Sequence, residues 1–275
     1  MLLISKIRKM KLLNKISWIL ILPASLWILN SCSEGAEAGF DDNTQFEQNP
    51  NNTSGDGGSL NQFTIAGPNQ NYLYTVRNST ITVFDITNVN TPNKVNEFNA
   101  HQEIETVYDM GDKLFMGTPI GMLVYDIQTP EAPQYLGEFR HVRSCDPVVA
   151  EDDVAFVTLR GGGECGGTSN ELHVLDISDP TNPQMMFNYD MAGPYGLGID
   201  NGTLFVCDGE DGLKVYDASN PRNGIKQVAH FSKLKAIDVI PVDGLLIMIA
   251  EEGLYQYKYN GPESIELISS IKIGD

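Results

Sequence analysis

The chain is poor in the residues that most often announce chemistry. Its 275 residues hold four cysteines, four histidines and two tryptophans. No two cysteines stand in the C-x2–4-C spacing that pairs ligands around zinc. The histidines (His101, His141, His173, His230) form neither H-x3-H nor HExxH, so no metal site and no cofactor is expected. The G-x-x-x-x-G-K-[ST] phosphate loop is missing, and so is the G-x-S-x-G elbow of a serine nucleophile. Positive charge is scarce, with 18 basic against 36 acidic residues and a net charge of −18. Such a field repels phosphate backbones and argues against nucleic acid as a partner. Helical periodicity is lacking too, because no stretch holds a 3.6-residue repeat past one of the 26 glycines or 14 prolines.

What is present begins at the N-terminus. Residues 1–31 carry Lys6, Arg8, Lys9, Lys11 and Lys15 and no acidic residue, followed by an apolar run from Ile16 to Leu29. A basic start, a short apolar run and a small residue before the cut describe a secretory signal peptide. The run is shorter than the ~20 residues of a spanning helix and is broken by Pro23 and Ser25. The ending Leu29-Asn30-Ser31-Cys32 resembles the lipobox of bacterial lipoproteins. That resemblance implies acylation of Cys32 as the first mature residue and attachment to a membrane through lipid. With the signal removed, 13 basic and 36 acidic residues remain, a net charge of −23. Residues 32–60 follow as a polar stretch containing Asn49-Pro50-Asn51-Asn52-Thr53-Ser54-Gly55-Asp56-Gly57-Gly58-Ser59. With few apolar side chains to offset its ordering entropy, it reads as a flexible tether.

The rest, residues 61–275, repeats. The segments Ile81-Thr82-Val83-Phe84-Asp85, Met122-Leu123-Val124-Tyr125-Asp126, Leu172-His173-Val174-Leu175-Asp176, Leu213-Lys214-Val215-Tyr216-Asp217 and Leu254-Tyr255-Gln256-Tyr257-Lys258 align, at spacings of 41, 50, 41 and 41. The long spacing matches an insertion of Gly161 to Ser169 in the third unit. Each unit reads as four short strands separated by Gly-, Asn-, Asp- and Pro-rich turns, such as Gly111-Asp112 and Asn201-Gly202. Four strands per ~40–45 residues is the signature of a propeller blade, so the expected fold is all-β, a β-propeller of five four-stranded blades. Asn61 to Ala66 suits either the inner strand of the first blade or a strand that zips the ring onto the last. Leu172 to Pro183, Gly212 to Pro221, Gly121 to Pro133 and, more loosely, Ile81 to Pro92 resemble the LVIVD repeat of bacterial surface and secreted propellers. The fifth unit departs, with Lys258 in place of aspartate. The resemblance implies a propeller scaffold and carries no shared catalytic residues.

Candidate sites follow from position within the repeat. Asp85, Asp126, Asp176 and Asp217 stand a blade apart, too far to share one calcium ion, and each suits a hydrogen bond to its own turn. Cys145 and Cys165 flank loops that emerge on one face, and an exported protein keeps disulfides. A Cys145–Cys165 bridge is expected, with Cys145–Cys207 the rival pairing. His101, His141 and His230 fall at equivalent places before blades two, three and five. With Glu103, Glu105, Arg140, Arg143, Asp146, Tyr195, Lys233 and Lys235 they form a candidate ligand rim, set against the plain reading of a solvated polar edge. No catalytic residue is assigned. The first functional reading is a membrane-anchored extracytoplasmic module that binds a protein or glycan. A hydrolase or lyase using the central channel and a structural part of an envelope assembly are the alternatives.

Overall fold

The computed structural model describes residues 59–141, 143–144, 147–162 and 166–273. The signal segment, Cys32, most of the tether, Cys145, Asp146 and Cys165 lie outside the described residues. Twenty strands make five four-stranded antiparallel sheets, each contiguous in sequence. Blade one is β1 (Phe63–Ala66), β2 (Tyr72–Arg77), β3 (Thr80–Asp85) and β4 (Asn93–Asn99). Blade two is β5 (Thr106–Met110), β6 (Lys113–Thr118), β7 (Gly121–Asp126) and β8 (Gln134–Arg140). Blade three is β9 (Val148–Glu151), β10 (Val154–Leu159), β11 (Glu171–Asp176) and β12 (Gln184–Asp190). Blade four is β13 (Leu197–Asp200), β14 (Thr203–Cys207), β15 (Leu213–Asp217) and β16 (Lys226–Phe231). Blade five is β17 (Ala236–Val242), β18 (Leu245–Ala250), β19 (Gly253–Tyr259) and β20 (Ile265–Lys272). Of the two roles open to residues 61–66, the strand that forms pairs with β2 as the innermost strand of blade one.

Local chemistry explains why these units hairpin. The turns before β14 and β18 are Asn201-Gly202 and Asp243-Gly244, all four residues at positive φ. That is the geometry whose twist matches flanking strands, and it favours asparagine, aspartate and glycine. At the next turn each repeat aspartate caps its own chain. Asp85 Oδ1 accepts the Thr87 N–H (2.8 Å), Asp126 that of Gln128 (2.8 Å), Asp176 that of Ser178 (3.0 Å) and Asp217 that of Ser219 (3.1 Å). Arg222, reaching over from blade four, closes a two-pronged bond on Asp176 (2.7 and 2.8 Å). That guanidinium, with Ser178, holds the Asp176 carboxyl well below the usual range.

Every blade also carries a bulge between its third and fourth strands at one repeat position. The register shifts at Val83/Phe84, Val124/Tyr125, Val174/Leu175, Val215/Tyr216 and Gln256/Tyr257. A bulge increases local twist, which turns a flat hairpin into a blade. Just before, the third strand opens on Gly121, Gly212 or Gly253, where a Cβ would lie 1.9–2.1 Å from a carbonyl oxygen of the fourth strand.

Packing between blades comes from the two apolar faces of each sheet. β6, β10 and β14 are buried almost end to end because both faces are covered. Phe115, Phe156 and Phe205 occupy one repeat position and are fully buried, each contributing about 2–3 kcal/mol by area. Three buried clusters result, joining blades one and two, blades two, three and four, and blades four and five. Among the described residues none joins blade five to blade one. In β2 and β18 burial alternates, with Tyr74, Val76, Leu246, Met248 and Ala250 inside and the residues between them open.

Candidate functional site

The connections between second and third strands, and those from one blade to the next, emerge on one face. Ser59 enters on this face at the mouth formed by the inner strands. It is buried, its Oγ accepting from the Leu197 N–H (2.7 Å) and donating to Asp238 (3.4 Å). Asp238 accepts further bonds from the backbone of Ser59, Leu60 and Val239, yet burial outweighs them and pushes its carboxyl up to about 6. The Asn61 carbonyl takes the Val107 N–H of blade two (2.8 Å).

The candidate rim residues do not share one place. His101 sits at positive φ beside Asn78, Ser79, Asn99, Gln102 and Glu103, in an open groove of about 570 Å³. The Glu105 N–H is bonded to the Gly117 carbonyl (2.9 Å), and Arg140 pairs with Glu138 (2.6 Å). His141 lies edge-on to His173, ring centroids 6.0 Å apart, with Phe139 alongside. Arg143 runs past Gly166. His230 stands within β16, bonded to the Asp211 carbonyl. Lys233 is exposed. Lys235 lies between Glu210 (3.1 Å) and Glu251 (2.8 Å), which raise its pKa. The three histidines thus keep different company, and no described group of three or more His, Cys, Asp or Glu is arranged to hold a metal ion.

One of the same candidates, Tyr195, does meet other polar groups, between blades three and four. The Arg160 guanidinium lies over the Tyr195 ring, 3.8 Å from its centroid. The Tyr195 backbone is fixed from both sides: its N–H donates to Cys207 (2.7 Å) and its carbonyl accepts from Thr158 Oγ1 (2.7 Å). Beneath it Asp208, wholly buried, accepts from the N–H groups of Ala192 (3.0 Å) and Gly193 (2.8 Å) and from Lys214 (2.5 Å). Burial would lower the Lys214 pKa, but Asp208 and Asp211 together hold it above its ordinary value. At the same end of blade three, His173 pairs with Glu171 (2.7 Å), whose carboxyl is lowered in consequence. Arg160, Glu171, His173, Asp208 and Lys214 were not among the rim residues read from sequence. Arg160 borders the glycine-rich insertion, which is the one signal that marked its neighbourhood.

The opposite face holds a cavity of about 550 Å³ between blades three and four. Glu151, Asp152, Asp153, Asp200 and Arg222 line it. Glu151 is raised by burial although it accepts the Gly202 N–H (2.8 Å), and Asp200 accepts the Tyr259 hydroxyl from blade five. Glu151, Asp200 and Arg222 are engaged in holding blades together.

Five antiparallel four-stranded sheets around their inner strands define a five-bladed β-propeller. Residues 166–191 match the LVIVD repeat family model. The chain is thus a β-propeller that carries a match to the LVIVD repeat in its third blade. No curated protein matches it. Among solved structures it resembles a functionally unknown protein from Desulfotomaculum acetoxidans, with 10% identity, TM-score 0.63, and 74% of this chain covering 68% of that one. A periplasmic gluconolactonase of Pseudomonas aeruginosa gives 13%, 0.58, 75% and 68%. BamB from Moraxella catarrhalis gives 14%, 0.51, 75% and 60%. At such identities the likeness is one of fold.

Proposed function

We propose that this propeller is exported, held at the cell membrane or outer membrane by lipid on Cys32, and acts as a binding module for a protein or glycan partner. The observation that carries the binding reading is the Arg160–Tyr195 pair. Arginine and tyrosine are enriched where interfaces concentrate their energy. Thr158, Cys207 and Asp208 hold the backbone around Tyr195 in place, so binding there loses little ordering entropy. Attachment through acyl chains is independent of charge and suits a mature chain with 13 basic and 36 acidic residues, a net charge of −23. A channel-type hydrolase or lyase has less support, because Asp238 at the inner-strand mouth is occupied by Ser59 and Leu60 of the chain itself.

The test is affinity capture from intact membranes with the lipidated protein, comparing wild type with an Arg160→Glu/Tyr195→Ala variant. A discrete partner should fall at least tenfold in the variant, and equal recovery would remove the site. Cys32→Ala should move the protein from the membrane to the soluble fraction. The Cys145–Cys165 bridge belongs to the same proposal. It is supported by its flanks, since a Cβ on Gly167 would lie 2.0 Å from the Arg143 carbonyl oxygen. Peptide mapping without reductant should recover the two cysteines linked; a free Cys165 thiol would count against it.

A further inference from the structure

The turn between β2 and β3 and the connection from blade one to blade two enclose a groove of about 570 Å³. Asn78, Ser79, Asn99, His101, Gln102 and Glu103 line it. Its two walls are bonded to each other before any ligand arrives. The Ala100 N–H donates to the Ser79 carbonyl (2.8 Å) and the Ile104 N–H to the Asn78 carbonyl (2.9 Å). Asn99 donates from Nδ2 to Ser79 Oγ (2.9 Å) and accepts the His101 N–H at Oδ1 (2.6 Å). Gln102 is held by Glu138 (3.1 Å) and Thr118 (3.3 Å). Asn78 and His101 stand at positive φ, 55° and 60°. For Asn78, in a two-residue hairpin turn, that geometry is ordinary. His101 lies in no hairpin, and the bond from its N–H to Asn99 maintains it. Asn78, His101 and Glu103 are exposed, and among the described residues their side chains have no hydrogen-bond partner.

We propose that this groove is a second binding site, for a neutral saccharide. The Asn78 amide, the His101 ring and the Ser79 hydroxyl each offer a donor and an acceptor, and Glu103 adds acceptors. A ligand that answers such a mixture must itself both donate and accept at many points, as a row of sugar hydroxyls does. The other ligand classes fit less well. An anion would meet Glu103 and the acidic surplus of the whole chain. A cation would find one free carboxylate in an open groove, and exposed ion pairs contribute little. Ligands with large apolar bodies take pockets lined mainly by apolar side chains, whereas all six residues here are polar. Because the walls are already tied together, a ligand loses little in ordering them. The groove belongs to blades one and two, so it stands independently of Arg160 and Tyr195 on blades three and four.

The test is calorimetric titration of the full chain with neutral oligosaccharides of glucose, galactose, mannose and N-acetylglucosamine. At least one series should bind, with an affinity that salt leaves unchanged, because no charge is neutralised. Asn78→Gly and His101→Gly remove the side chains and keep a backbone that tolerates positive φ. Each should weaken binding roughly tenfold. Glu103→Gln retains an acceptor and should bind within a few-fold of wild type, and Arg160→Glu/Tyr195→Ala should bind as wild type does. Melting curves report whether each variant has stayed folded; should a glycine variant fail, Glu103→Ala replaces it with the same expected loss. Wild type that binds none of the series overturns the proposal. So does binding that the glycine variants leave intact, or that only the Arg160→Glu/Tyr195→Ala change abolishes, since the sugar would then occupy the other site. A glucosamine oligosaccharide bound at least tenfold more tightly than its N-acetylated counterpart also overturns it, because an ammonium rather than hydroxyls would carry recognition.

Discussion

Asp238 is the residue whose surroundings say most about how the molecule is held at its centre. Its carboxyl is raised from an ordinary value of 3.8 to about 6, chiefly by burial. A folded state that binds the proton more tightly than the unfolded chain gains stability at low pH and loses it as pH rises through about 6. Unfolding midpoints should therefore fall between pH 4 and pH 6. Asp238→Asn should flatten that slope, as urea titrations at several pH values would reveal. A variant with the wild-type slope would show that another group titrates. None of this was legible in the sequence, because both the burial that raises the carboxyl and the Ser59 and Leu60 bonds that oppose it come from packing against residues some 180 positions away in the chain. The same holds for Arg160 over Tyr195. His101, His141 and His230 illustrate the converse: equivalent repeat positions are visible in a sequence, but the neighbours each side chain meets differ from blade to blade.

At the level of elements the sequence is far more informative, since the β-propeller signal is a period. The five aligned segments from Ile81 to Lys258 are the third strands β3, β7, β11, β15 and β19, and the spacing of 50 reflects the insertion between β10 and β11. The bulge at Val215/Tyr216 and its four counterparts could not be read in this way, because a bulge is a property of pairing. The glycine that opens the third strand joins the two levels. Gly212 has φ +84, and a Cβ there would meet the Phe231 carbonyl oxygen at 2.1 Å, whereas Gly111, at φ +63, has nothing within 4 Å. Gly212→Ala should cost about 2 kcal/mol or more, and Gly111→Ala only about 1 kcal/mol. Urea midpoints of the two variants give the comparison, and equal losses would show that the strand contact yields.

For the molecule as a whole, the three buried clusters leave the end blades with half the lateral support of the interior ones. Hydrogen exchange should reflect this order, with amides of β10 and β14 protected longest and those of β20, whose residues are largely exposed, shortest. Uniform protection across the five blades would contradict it. The placement of Ser59 has a mechanical side as well. Whatever holds the chain N-terminal to this residue pulls on a hydroxyl and backbone that are bonded to Leu197 of blade four and Asp238 of blade five, just ahead of the Asn61 carbonyl bonded to blade two. Tension therefore enters near the hub and is divided among three blades at once. An attachment at the outer rim would instead load one strand and peel a single sheet away.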